Sequence, residues 1–225
     1  FLMKGMKEGI RLTSETIAQG KRIRIIGDYD VDGVCSSYIL KTFLNRALSA
    51  SVVETGGDLA KTGASEQPEE GFRPHAGGIA DVRLPDRVQD GYGLNASMVQ
   101  EACKDGISLI ITCDNGISAK EAVQEARDRN LAVIVTDHHE PPQDLPAANA
   151  MIDPKQDGCN YPFKELCGAG VAWQFARALN MSMDLHEDQL LEDLLPFAGI
   201  ATVADIVPIV GENRKIVYIG LKQME

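Results

Sequence analysis

No apolar run among the 225 residues approaches the ~20 that a membrane-spanning helix needs. The N-terminus, Phe1-Leu2-Met3-Lys4, lacks the charged, apolar and small-residue order of a secretory signal. It also lacks an initiating Met, which points to a fragment cut from a longer protein. The five cysteines (35, 103, 113, 159 and 167) contain no C-x-x-C pair and are odd in number. That pattern excludes a zinc knuckle and a disulfide framework, and predicts reduced, buried thiols in a cytoplasmic protein. Basic charge is scarce: 22 Lys and Arg face 33 Asp and Glu, a net charge of −11. A protein held on nucleic acid by a broad basic surface alone is excluded. A nucleic-acid enzyme is not, because acids can hold metal and a basic surface can lie on other domains. No internal repeat is present.

What remains is an ordinary soluble composition, 44% hydrophobic and 24% charged, long enough for one large domain or one with a small appendage. Three short β-branched runs, 21–26, 108–113 and 131–136, read as strands. The first leads through an acidic turn into a helix predicted over 34–48, the second through Asp114-Asn115-Gly116 into one over 118–130 (capped by Ser118), and the third ends at Asp137-His138-His139; a helix over 95–104 (capped by Asn95) is predicted between the first two units. Continuously apolar strands alternating with helices predict an α/β fold, a parallel sheet flanked by helices on both faces. Two further helices are predicted over 171–179 and 186–197, with a truncated helix start at 216–225. The stretches to Ile152 and from Tyr161 to Gly170 read as loops. Residues 51–80 carry little periodicity and read as a flexible surface insertion. Trp173 and Phe175 are expected in a core, His75 in solvent within the insertion, and His186 near a helix start.

The polar residues fall where the strands end. In a parallel sheet all such ends share one edge, so Asp28, Asp30, Asp32, Asp114, Asp137, His138 and His139 should converge. In Gly27-Asp28-Tyr29-Asp30-Val31-Asp32-Gly33 the acids alternate, and an extended loop would point all three to one side. Like charges so close repel unless a cation joins them. Asp205, alone in an apolar stretch, must be paired, capping or metal-bound. Carboxylates with one or two imidazoles suit Mn²⁺ or Mg²⁺, and there are enough for two ions, a standard device for phosphodiester hydrolysis.

Asp28-Tyr-Asp-Val-Asp-Gly33, Thr112-Cys-Asp-Asn-Gly116, Asp137-His138-His139 and Ala201-Thr-Val-Ala-Asp-Ile-Val-Pro208 resemble the four motifs of the DHH phosphoesterase superfamily. Gly91-Tyr-Gly-Leu-Asn95, Leu166-Cys-Gly-Ala-Gly-Val-Ala172 and Gly211-Glu-Asn-Arg214 resemble its RecJ branch of single-stranded-DNA-specific 5′→3′ exonucleases, over nearly the whole chain except 51–80. The resemblance implies two Mn²⁺ or Mg²⁺ ions, with Asp30 and Asp32 each on one, Asp114 bridging, and His138 and Asp205 completing the second. It implies that His139 touches the scissile phosphate and that Asp137 is catalytic with it. Asp28 joins the metal ligands, in the place of a His that many relatives carry at the position of Ile26. Asn115 is a substrate contact, and Asp28, Asp137 and Asn115 could instead be partners that orient the imidazoles. Gly168 and Gly170 would let the backbone approach the substrate. The implied setting is DNA repair and recombination in the cytoplasm, on single-stranded DNA, with a single-strand-binding protein or helicase as partner and no membrane. The branch's second catalytic domain, with a Gly-Gly-Gly-His-type motif, and its OB-fold are not in this sequence, so the chain is expected to bind metal and degrade DNA poorly. The rival functions are a DHH hydrolase of short oligonucleotides or cyclic dinucleotides and a noncatalytic replication scaffold.

Overall fold

The computed structural model describes residues 2–54, 80–87 and 91–225. Its elements run α1 (Met6–Ala18), β1 (Ile23–Ile26), α2 (Val31–Glu54), β2 (Ala80–Arg83), α3 (Ala96–Lys104), β3 (Leu109–Cys113), α4 (Lys120–Asp128), β4 (Ala132–Thr136), β5 (Ala150–Ile152), α5 (Gly168–Met183), α6 (Asp188–Ala204) and α7 (Gly211–Lys222). All strand pairings are parallel, and the order across the sheet is β2-β1-β3-β4-β5. Among the described residues no helix is long and apolar enough to cross a membrane.

The period-2 geometry of the strands divides their apolar side chains between two cores. Ile23, Ile25, Leu109, Ile111 and Ile134 join the larger core with residues of α1, α2, α5 and α6, including Phe43 and Phe175. Ile26, Ile110, Val133 and Val135 enter the second core with Met98 and Val99 of α3 and Val123 of α4. Burial on both faces explains why these strands read as unbroken apolar runs rather than alternating ones. The sheet grows from β1 in both directions, to β2 on one side and to β3 on the other. The connections therefore diverge at β1 and β3, which opens a crevice at the carboxyl ends of these two strands.

Several expectations need correction. α1, β2 and β5 were not read from the sequence, and the stretch leading to Ile152 contains β5 rather than loop alone. α4 begins at Lys120 after Ala119, and no side chain caps it; Ser118 lies exposed in the preceding turn. α2 starts at Val31, three residues early, because Asp30 caps it: the Gly33 N–H donates to Asp30 Oδ1 at 2.9 Å. The acidic loop is thus not extended through Asp32, which lies in the first turn of α2. α5 starts at Gly168, inside the predicted loop, for a reason that lies in the site described next. Of the predicted insertion, residues 51–54 finish α2 and Ala80 opens β2, while 55–79, with His75, lie outside the described residues. Phe175 is buried, Trp173 packs at the core margin with its indole N–H on Leu191 O at 2.8 Å, and His186 lies two residues before α6. The five cysteines are free thiols; Cys35, Cys113 and Cys167 are buried, and Cys103 and Cys159 are partly exposed.

Candidate metal centre

The site begins where β1 turns into α2. A side chain on Gly33 would place its Cβ 2.5 Å from the Asp28 backbone nitrogen, so only glycine lets the first turn of α2 close over that loop. Asp30 stays on the rim, while Asp28 and Asp32 are buried. Asp32 points at the start of α5. Its two carboxylate oxygens accept from the Gly168 N–H at 2.6 Å and the Ala169 N–H at 2.7 Å. A helix N-terminus favours an anion there, so Asp32 caps α5 from 136 residues away. Burial raises the Asp32 carboxyl to about 6 against the pull of these two bonds.

β3 delivers Asp114. Its backbone is left-handed (φ 62°), a conformation that Asp tolerates better than most residues. Its carboxylate lies so near α5 that a Cβ on Gly168 would come within 2.6 Å of the Asp114 Cβ. Burial pushes the Asp114 carboxyl up to about 11, and the charges of Asp32, Asp30, Asp137 and Asp205 push the same way. β4 delivers His138, whose Nε2 lies 3.1 Å from Asp114 Oδ1, 3.6 Å from Asp32 Oδ2 and 3.7 Å from Asp205 Oδ2. Three carboxylates thus surround one imidazole nitrogen that makes no hydrogen bond. Burial lowers the His138 pKa to about 4, which keeps the ring neutral and its lone pair free to ligate. Asp205 arrives as the C-cap of α6, where the helix dipole disfavours an acid.

These atoms form three overlapping groups, in each of which the ligand atoms lie within 4.8 Å of one another: Asp114, His138 and His139; Asp32, His138 and Asp205; and Asp28, Asp30 and Asp114. Asp28 Oδ1, Asp114 Oδ1 and both His138 nitrogens are buried with no hydrogen-bond partner. Buried polar atoms are nearly always partnered, so this concentration of orphans marks a place built for something other than protein. Hard oxygens with imidazole fit Mn²⁺ or Mg²⁺.

Other predicted site residues have their side chains committed elsewhere. Asp137 is buried and accepts from the Ile117 N–H at 2.8 Å, the His138 N–H at 2.8 Å, the His139 N–H at 3.2 Å and His139 Nδ1 at 2.7 Å. Burial opposes its ionisation, but these bonds outweigh it and hold the carboxyl low, while the same contact raises His139. Asp137 can therefore act only through the imidazole it orients. Asn115 is buried as well: its Oδ1 accepts from the Leu94 N–H, and its Nδ2 donates to Ile26 O and Cys113 O. The amide is consumed in joining the β1, β3 and α3 loops. Gly168 and Gly170 are both buried, and the close approaches they permit are to Asp114 and Leu166.

Sequence reasoning missed two groups. The Tyr92 hydroxyl sits 3.4 Å from His139 Nε2 and donates to Asp114 O at 3.2 Å; the Gly91–Asn95 run marked its location but not its use. Asp153, fully buried at the end of β5, is pushed up to about 7 by burial, and a strand this short leaves no signal to point at it.

Residues 22–202 match the family model described as the DHH family, N-terminal domain. The chain belongs to the DHH family. Within it, the chain is similar to the single-stranded-DNA-specific exonuclease RecJ of Bacillus subtilis (strain 168), 40% identical over 224 residues, a match covering all of this chain and 24% of that protein. The RecJ of Escherichia coli (strain K12) is 33% identical, with 99% and 35% covered. A crystal structure of exonuclease RecJ bound to manganese superposes with a TM-score of 0.76 at 29% identity, covering 99% of this chain and 48% of that one. RecJ from Thermus thermophilus in complex with Mn²⁺ gives 0.73 at 27% identity, with 100% and 28% covered. The chain thus spans about a quarter to a third of the curated relatives' length.

Proposed function

We propose that this chain is the metal-binding phosphodiesterase domain of a 5′→3′ single-stranded-DNA exonuclease that acts in repair and recombination. One observation carries the reading: Asp114 and His138 each belong to two of the three ligand groups, so the groups form one continuous site for two cations. The names of the RecJ relatives supply the substrate, and their Mn²⁺-bound structures support the choice of metal.

In this reading Asp30 and Asp32 would each help hold one ion, Asp114 would serve both, and His138 and Asp205 would complete the second, with Asp28 available to the first. The ions, when bound, polarise the phosphoryl oxygens and make water a stronger nucleophile. The protein's own part is positioning. Asp137 fixes the His139 ring so that Nε2 faces the phosphate, where it can hold or pass a proton. The N-terminus of α5 holds Asp32 in a single orientation, and Gly168 gives Asp114 room. The second catalytic domain and the OB-fold belong to the rest of such an enzyme, and the short span against the relatives supports that division. This chain alone should bind metal and degrade DNA poorly; robust processive digestion would contradict the division. A cytoplasmic setting, with a single-strand-binding protein or helicase presenting the strand, fits the free thiols and that substrate.

The test is Mn²⁺ calorimetry on this chain and on Asp114→Ala. Two sites lost together on substitution are expected. A native chain that binds no Mn²⁺ near neutral pH would refute the reading and favour a scaffold.

A further inference from the structure

Beyond β5 the chain makes a tight turn, Asp153-Pro154-Lys155-Gln156, held from within. Asp153 Oδ1 accepts from the Lys155 N–H at 2.7 Å, and Gln156 Nε2 donates to Met151 O at 2.8 Å and to Asp153 O at 3.2 Å. Asp153, Pro154 and Gln156 are all buried. The turn is tied to the site because the Asp137 N–H donates to Ile152 O at 3.0 Å. The base of the Lys155 side chain is therefore fixed relative to the metal groups, and the side chain is only 21% exposed.

Its ammonium has an uncommitted partner. Lys155 Nζ lies 3.4 Å from Glu140 Oε1, and the Glu140 side chain is 84% exposed. So solvated a pair contributes little, and a stronger anion would displace the carboxylate. The Lys155 charge also reaches inward: it acts on both His138 and Asp205, two members of one ligand group. A site this acidic, in a chain of net charge −11, needs a fixed cation if it is to receive a phosphate.

We propose that Lys155 is a phosphate-binding residue, its Nζ taking a non-bridging oxygen of a phosphoryl group held at the Asp32–His138–Asp205 group, with Glu140 as the ion-pair partner that the phosphate displaces. The assignment rests on the metal-site reading above. The rigid turn makes it efficient, because little side-chain freedom is left to lose on binding.

The test is calorimetry with thymidine 5′-monophosphate on the Mn²⁺-loaded chain. Lys155→Ala should weaken nucleotide binding about ten-fold, the loss of one charge-assisted contact, and leave Mn²⁺ affinity equal or higher. Lys155→Arg should restore most of the loss, and Glu140→Gln should tighten nucleotide binding about three-fold. Equal nucleotide affinity in Lys155→Ala would overturn the proposal. So would parallel loss of Mn²⁺ and nucleotide, which marks a structural prop, and so would Mn²⁺ binding without any nucleotide binding in the native chain. A native chain that takes up no Mn²⁺ would remove the underlying metal reading, a result distinct from these.

Discussion

Arg24 and Asp28, neighbours on β1 and its exit loop, are buried members of two charge clusters of opposite character. Arg24 bonds Asp81 at 2.8 Å and Asp105 at 2.9 Å and lies 3.6 Å from Glu101, while Arg22 and Arg83 reach the same acids. Three guanidinium groups meet three carboxylates, and that cluster neutralises itself. Around Asp28 the balance fails. Asp28, Asp30, Asp32, Asp114 and Asp205 gather about His138, which burial keeps neutral. A buried ion cluster completed by protein is a structural device; one left short of positive charge implies a cation from outside. Composition cannot separate the two, since both draw on the same residue types. Pairing does.

The largest expected effect breaks this contrast on the structural side. Arg24→Met removes the best partner of Asp81 and Asp105, which stay partly solvated, and chemical denaturation should show a loss of about 2 kcal/mol with Mn²⁺ affinity unchanged. On the other side the sign reverses. Asp114→Asn removes a carboxyl that burial and the surrounding acids keep from ionising, so in EDTA at pH 8 the chain should gain about 1–2 kcal/mol while it loses Mn²⁺. If Asp114→Asn destabilises the metal-free chain as Arg24→Met does, the two clusters are of one kind and the contrast fails.

The strands and the acidic loops at their ends were legible because burial on both faces writes continuous apolar runs, and a parallel sheet then forces those loops together. Asn95 was legible as a cap because its bond to the Met98 N–H is local. The start of α5 was not: it is set by Asp32, which is remote in sequence, so Gly168 looked like loop. β5 has only three residues, too few for a periodic signal. The acids and histidines that converge at the strand ends were legible by type and place. The division of labour among them was legible only in part: Asp137 could be read as a partner orienting an imidazole, but nothing in the sequence says that Asn115 spends its amide on backbone.

Asp153 sharpens the contrast, being a buried acid outside both clusters. Its folded-state pKa of about 7 lies above the ordinary carboxylate value of ~3.9, so the folded chain holds this proton more tightly than the unfolded chain. Its contribution is complete below about pH 4 and disappears as the pH rises through 7. Metal-free stability should therefore fall between about pH 4 and pH 7, and Asp153→Asn should flatten that fall in thermal melts. An unchanged slope would place the titration on the metal-site acids instead.

The smallest effect concerns Tyr92, which meets the metal cluster without belonging to it. Its hydroxyl has one proton and two neighbours, Asp114 O at 3.2 Å and His139 Nε2 at 3.4 Å. Asp137 already fixes the other ring nitrogen, so the hydroxyl adds a second, weaker constraint on an imidazole that is already oriented. Tyr92→Phe keeps the edge-on ring contact, with centroids 6.1 Å apart, and removes only that constraint. Stability should change by less than about 1 kcal/mol and Mn²⁺ binding should not change. The His139 ring resonances should move in NMR spectra while those of His138 stay in place. If both histidines move together, the phenol supports the whole cluster, and the boundary between the metal groups and their surroundings lies one residue further out.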